Sequence, residues 1–119
     1  MRQGKGKKKR KGYRIAVLPG DGIGPEVIRE GVKVVRAALG HAGAPPCEFK
    51  ELQGGAGHYR ETGIAFPEEN WKACREADAI FLGATGLPEV LQSNGTGISL
   101  AWEIRRSMNL FAGVRPITL

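Results

Sequence analysis

The chain has 119 residues, 41% hydrophobic and 25% charged, which suits one globular domain and excludes a disordered or fibrous chain. The formal charge of +6 marks no nucleic-acid surface: residues 1–12 hold seven of the eighteen Lys and Arg, and residues 13–119 carry eleven basic against twelve acidic groups. Cys47 and Cys74, far apart and outside any CxxC pattern, exclude a disulfide framework and argue against zinc, and no apolar run approaches the roughly 18 residues of a membrane span.

A soluble protein in a reduced, cytoplasmic setting is therefore expected. The first twelve residues, MRQGKGKKKRKG, form a low-complexity basic tail with nothing apolar to bury and should be disordered. A continuous apolar run, Arg14 to Leu18, predicts a strand buried on both faces, stopped by Pro19-Gly20-Asp21-Gly22. From Pro25 the apolar positions Ile28, Val32, Val35 and Leu39 recur at helical spacing, with Gly40 as the expected C-cap. A second strand is predicted over Glu48 to Leu52. A glycine loop, Gly54-Gly55-Ala56-Gly57, follows, and Pro67 opens a helix of about ten residues. Ala79 to Leu82 reads as a third strand ending at Gly83. A loop over residues 83–97 leads to a helix from about Ser99 to Met108 with an apolar stripe of Leu100, Ile104, Met108 and Phe111. Alternating strands and helices predict an α/β fold with a mainly parallel sheet and right-handed crossovers. Val114 to Leu119 begins another extended run and stops inside it, which predicts a truncated chain.

Glycine, at 18 residues, is roughly twice its usual share. Leu18-Pro19-Gly20-Asp21-Gly22-Ile23-Gly24-Pro25-Glu26-Val27 places three glycines at alternate positions between a strand and a helix start. Such glycines let backbone pass close to a ligand, and a helix start offers N–H groups to polar or anionic atoms. A tight strand-to-helix turn explains the spacing equally well. It is not the dinucleotide fingerprint, since the spacing is G-x-G-x-G and no acid follows about 20 residues later at a second strand end.

As a string, however, the segment closely resembles the N-terminal signature of the β-decarboxylating dehydrogenases, the isopropylmalate, isocitrate, tartrate and D-malate dehydrogenase family. Gly54-Gly55-Ala56 with Gly63-Ile64-Ala65-Phe66-Pro67, then Asp78-Ala79-Ile80-Phe81-Leu82-Gly83-Ala84, continue the resemblance. Arg105-Arg106-Ser107-Met108-Asn109-Leu110-Phe111-Ala112-Gly113-Val114-Arg115-Pro116 is similar to the family's double-arginine segment. The match runs over residues 13–118 in order. It implies an isopropylmalate dehydrogenase-like three-layer α/β fold, incomplete here. Residues 13–110 would form the front of the nicotinamide-side domain, and 111–119 would begin the crossover to a second domain.

The resemblance implies hydride transfer from a malate-type 2-hydroxy acid to NAD or NADP, then metal-assisted loss of CO2. It places cofactor contacts at Gly22, Ile23, Gly24, Gly83, Ala84 and Thr85, and substrate carboxylates at Arg105 and Arg115. A planar guanidinium grips a carboxylate with two parallel bonds and keeps its charge, which suits that role. Arg106 points elsewhere on the helix and is read as surface. Ser99 either binds a carboxylate or the nicotinamide amide, or only caps the helix. The family's catalytic Lys and Tyr, its metal-binding Asp residues and its adenosine loop lie downstream, so no catalytic or metal residue is assigned here. Mg2+ or Mn2+ would be held mainly by residues absent from this chain, and the full-length enzyme is expected to be a homodimer.

Gly97-Ile98-Ser99-Leu100-Ala101 departs from the Glu-Thr-Gly-Leu-Leu that isopropylmalate dehydrogenases resemble, with Ile98 where the glutamate is expected. The substrate therefore stays open, isopropylmalate first, then tartrate, malate or isocitrate. The chain alone is expected to be inactive. Two other readings stand beside it: a non-catalytic subunit or remnant serving as an interaction module, and nucleic-acid binding through the tail. His41 and His58 have no partner pattern. Trp71 and Trp102 read as core or interface.

Overall fold

A computed structural model of the chain describes residues 11–119. The expected basic tail lies outside the described residues except for Lys11 and Gly12. Three strands, β1 (Tyr13–Leu18), β2 (Cys47–Glu51) and β3 (Ala79–Leu82), form one all-parallel sheet in the order β2-β1-β3. Ile15 lies opposite both Phe49 and Ala79, and Leu18 lies opposite Leu82. The α/β architecture expected from alternating elements is thus the one observed.

Because β1 is central, both of its faces are covered, which explains its continuous apolar sequence. Helix α1 (Gly24–His41) packs on one face: Gly31 approaches the Phe81 ring, and Arg36 stacks 4.4 Å over the Phe49 ring. On the other face Ala16 and Leu18 join Leu52, Phe66 and Cys74 in the main core. Leu100 and Ile104 of α4 (Leu100–Ser107) complete it. Helix α3 (Glu68–Glu76) contributes Cys74 and is tied to the β2 exit by Asn70, whose side-chain amide donates to the Gln53 carbonyl at 2.6 Å. Trp71 meets Phe66 edge-to-face with centroids 4.8 Å apart, so its core assignment holds.

Three expectations are corrected. Helix α1 does not end at Gly40. It runs to His41, and Gly43, at φ +63°, takes the left-handed position. The Gly43 amide donates to Gly40 and the Ala44 amide to Leu39, the paired bonds of a Schellman end. Second, the glycine loop after β2 leads straight into a helix, α2 (Ala56–Thr62), closed by Gly63 at φ +77°. Third, Phe111 leaves the apolar stripe of α4. Asn109 at φ 54° ends the helix with the Leu110 amide on Arg105, and the turn leaves Phe111 96% exposed.

Candidate active-site edge

Chain order and sheet order diverge at β1: the connection from β1 leads to β2 on one side, and the chain then returns to β3 on the other. In open α/β sheets, ligands bind beyond the carboxyl ends of the strands flanking such a reversal. That edge is formed here by the exits of β1 and β3, where the sequence places its six cofactor candidates.

The two exits are stitched together. The Gly83 amide donates to Leu18 at 2.8 Å, and the Asp21 amide donates to Ala84 at 2.7 Å. Asp21 is 7% exposed, and its carboxylate lies among backbone donors. Its Oδ2 accepts the Ala56 and Gly86 amides, and its Oδ1 accepts the Gly57 amide, each at 2.8 Å. Ala56 and Gly57 open α2, whose N-cap Gly55 has no side chain to offer. Asp21 therefore caps a helix 35 residues further along the chain. The sequence reading missed this residue. The one available signal was an acid locked between two glycines at a strand exit.

The glycines divide by what they face. A Cβ on Gly24 would overlap the Pro19 and Ala84 carbonyl oxygens, and one on Gly83 would overlap Pro19. These two give close backbone packing between the loops. Gly22 is different: it is exposed, has φ +57° and would meet nothing within 4 Å. Ile23 beside it is 68% exposed. Ala84 is exposed and Thr85 half-buried, its methyl against Gly20. The start of α1 offers fewer donors than expected, since the Gly24 amide bonds the Asp21 carbonyl and Pro25 has none.

Ser99 occupies the N-cap position of α4, but its hydroxyl makes no capping bond. Arg105 and Arg106 form the last turn of that helix, and Arg115 follows in the extended segment. All three arginines are exposed, and none belongs to an ion pair among the described residues. Arg105 lines an open groove of about 390 Å³ with Trp102, Arg106 and Phe111. Arg115 is not part of that lining, and neither are the cofactor candidates. Trp102, 64% exposed, is not a core residue. Ile98 is buried with Ala56 and Val90 in a small cluster that anchors the loop after β3 onto α2.

His58 lies in α2, with Nδ1 2.6 Å from the Ile64 carbonyl, a contact that requires the proton on Nδ1. His41 is the last residue of α1. Among the described residues no three His, Cys, Asp or Glu side chains are grouped to hold a metal ion. No helix among them is long and apolar enough to cross a membrane.

The chain is similar in sequence and in fold to known proteins. The chain is 38% identical over 110 residues to the 3-isopropylmalate dehydrogenase of Moorella thermoacetica, covering 90% of this chain and 30% of that protein. It is 44% identical over 108 residues to the enzyme of the same name from Thiobacillus denitrificans, covering 89% and 30%. In structure it resembles a β-decarboxylating dehydrogenase from Thermococcus kodakarensis, with TM-score 0.67 and 37% identity over 83% of this chain and 27% of that one. The chain thus spans about 30% of the length of the relatives it matches. The profile of the isocitrate/isopropylmalate dehydrogenases matches residues 14–119, from the first strand to the last residue, and the chain belongs to that family.

Proposed function

We propose that this chain is the nicotinamide-side front of an oxidative decarboxylase that acts on malate-type 2-hydroxy acids with NAD or NADP and a divalent metal. Isopropylmalate is the first substrate choice, ahead of tartrate, malate and isocitrate, because the relatives named above are 3-isopropylmalate dehydrogenases. The observation that carries the proposal is the arginine pair, Arg105 and Arg115, exposed and without an internal carboxylate partner among the described residues. A substrate bearing two carboxylates supplies what those cations lack.

Gly22 and Ile23 on one side, and Ala84 and Thr85 on the other, would border the nicotinamide, with Ile23 giving its ring an apolar flank. Gly24 and Gly83 serve by letting the two loops close up behind them. Ser99 would donate its hydroxyl to a carboxylate or to the nicotinamide amide. Mg2+ or Mn2+ would be held mainly by residues outside those described, and no metal step is assigned to the described residues. A homodimer is the assembly proposed for the full-length enzyme.

A second reading, an interaction module of the same fold without turnover, is favoured by the exposed Phe111, Val114 and Ile117. The polypeptide, as its gene encodes it, separates the two. With NAD or NADP and Mg2+, reduced cofactor and CO2 should appear together, fastest with isopropylmalate among the four acids. Absence of cofactor reduction with all four would overturn the dehydrogenase.

A further inference from the structure

Asp21 is the one buried carboxylate among the described residues, and all the side-chain bonds it makes there go to backbone amides, two at the start of α2 and one in the loop after β3. It makes no ion pair among those residues. Its amides come from segments 35 and 65 residues away, and Gly55 crowds it, since a Cβ there would stand 2.6 Å from Oδ2. A carboxylate is the only side-chain group of this length that offers acceptors alone on both atoms. Its bonds to N–H groups are charge-assisted and therefore stronger than neutral ones. We propose that Asp21 is a positioning residue: it fixes the distance between the Gly22-Ile23 turn and the residues 84–86, and so sets the mouth of the cofactor crevice without touching the cofactor. The proposal rests on the cofactor placement given above.

The two oxygens differ in load, which makes the clip readable residue by residue. In Asp21→Asn the remaining oxygen can keep Ala56 and Gly86, but the amide then sets its own N–H against the Gly57 N–H. Amide exchange should accelerate at least tenfold at Gly57, and less at Ala56 and Gly86. Asp21→Ala should accelerate all three about equally. Amide resonances of Ile23 and Thr85 should shift in both variants, whereas those of the core residues Cys74 and Ile104 stay in place.

In the polypeptide as its gene encodes it, both variants should raise the KM for NAD at least fivefold while kcat stays within twofold. Unchanged exchange at Gly57, Ala56 and Gly86 in a folded variant would overturn the clip. Faster exchange with an unmoved KM, or a fall in kcat with KM unmoved, would overturn the positioning role. A wild-type protein that reduces no NAD would overturn the dehydrogenase reading instead, while the exchange measurements still decide the clip.

Discussion

The backbone amide of Asp21 bonds the carbonyl of Ala84 at 2.7 Å, so the exits of β1 and β3 are joined by main chain before any side chain contributes. Gly20, the preceding residue, makes this contact possible: it holds φ +79°, and a Cβ there would overlap the same Ala84 oxygen. Gly20→Ala should therefore destabilise the chain by about 2 kcal/mol or more, combining backbone strain with a backbone overlap that no rotamer change relieves. Urea unfolding monitored by circular dichroism measures it, and an unchanged midpoint would contradict the close approach.

The corrected end of α1 makes two neighbouring glycines respond oppositely. Gly40 sits inside the helix, exposed and with open space around it, so Gly40→Ala should stabilise by about 0.5–1 kcal/mol. Gly43 holds φ +63°, so Gly43→Ala should cost about 1 kcal/mol. If Gly40 were the left-handed residue, the signs would exchange. Thermal melting of the two variants distinguishes these cases.

Cys74 links stability to pH. Burial pushes its thiol above the ordinary range, with Arg75 acting weakly in the other direction. On raising pH the unfolded chain releases this proton first, so the folded state binds more protons and loses stability above about pH 8.5. The contribution is fully present below that pH. Cys74→Ala should show a shallower decline than the parent from about pH 8.5 upward, measured as the denaturation midpoint against pH. Parallel curves would assign the decline to other groups. In the folded parent, a thiol reagent should label half-buried Cys47 well before Cys74.

The arginine assignments are tested by the conservative change. In the polypeptide as its gene encodes it, the proposed substrate roles predict that Arg105→Lys and Arg115→Lys each raise KM and lower kcat for isopropylmalate. A lysine retains charge but loses the planar pair of donors, so a tenfold or greater loss of kcat/KM is expected, about 1.4 kcal/mol or more. Steady-state kinetics of both variants suffices. Unchanged constants in both would remove these residues from the substrate site.

The strands were legible to within about a residue: β1 because, as the central strand, it is covered on both faces and reads as an apolar run, β2 and β3 because the proline-rich stretch before one and Gly83 after the other bound them. The start of α1 was legible from Pro25 and its apolar spacing. Helix α2 was not, since residues 54–57 read locally as a glycine loop. Its first amides are satisfied by Asp21, a partner 35 residues earlier that no local pattern reveals. The same long-range bond explains why Asp21 escaped notice: its chemistry lies in what it accepts, not in its sequence neighbours. Phe111 was misplaced because periodicity carried the stripe past Asn109, where one left-handed residue ends the helix. The cofactor candidates were legible only through the resemblance, and the sequence did not show that Gly24 and Gly83 face backbone while Gly22 faces open space.

The two outer strands leave the sheet with unequal borders. Strand β2 carries Glu48, Lys50 and Glu51, charges that discourage a stray strand from adding beside it. Strand β3 is Ala-Ile-Phe-Leu, with no charge, and among the described residues its far side has no ladder partner. Lateral growth of this sheet is therefore one-sided. A neighbouring strand would meet no charge beside Ala79–Leu82, so that border, rather than β2, is where edge-to-edge pairing would start.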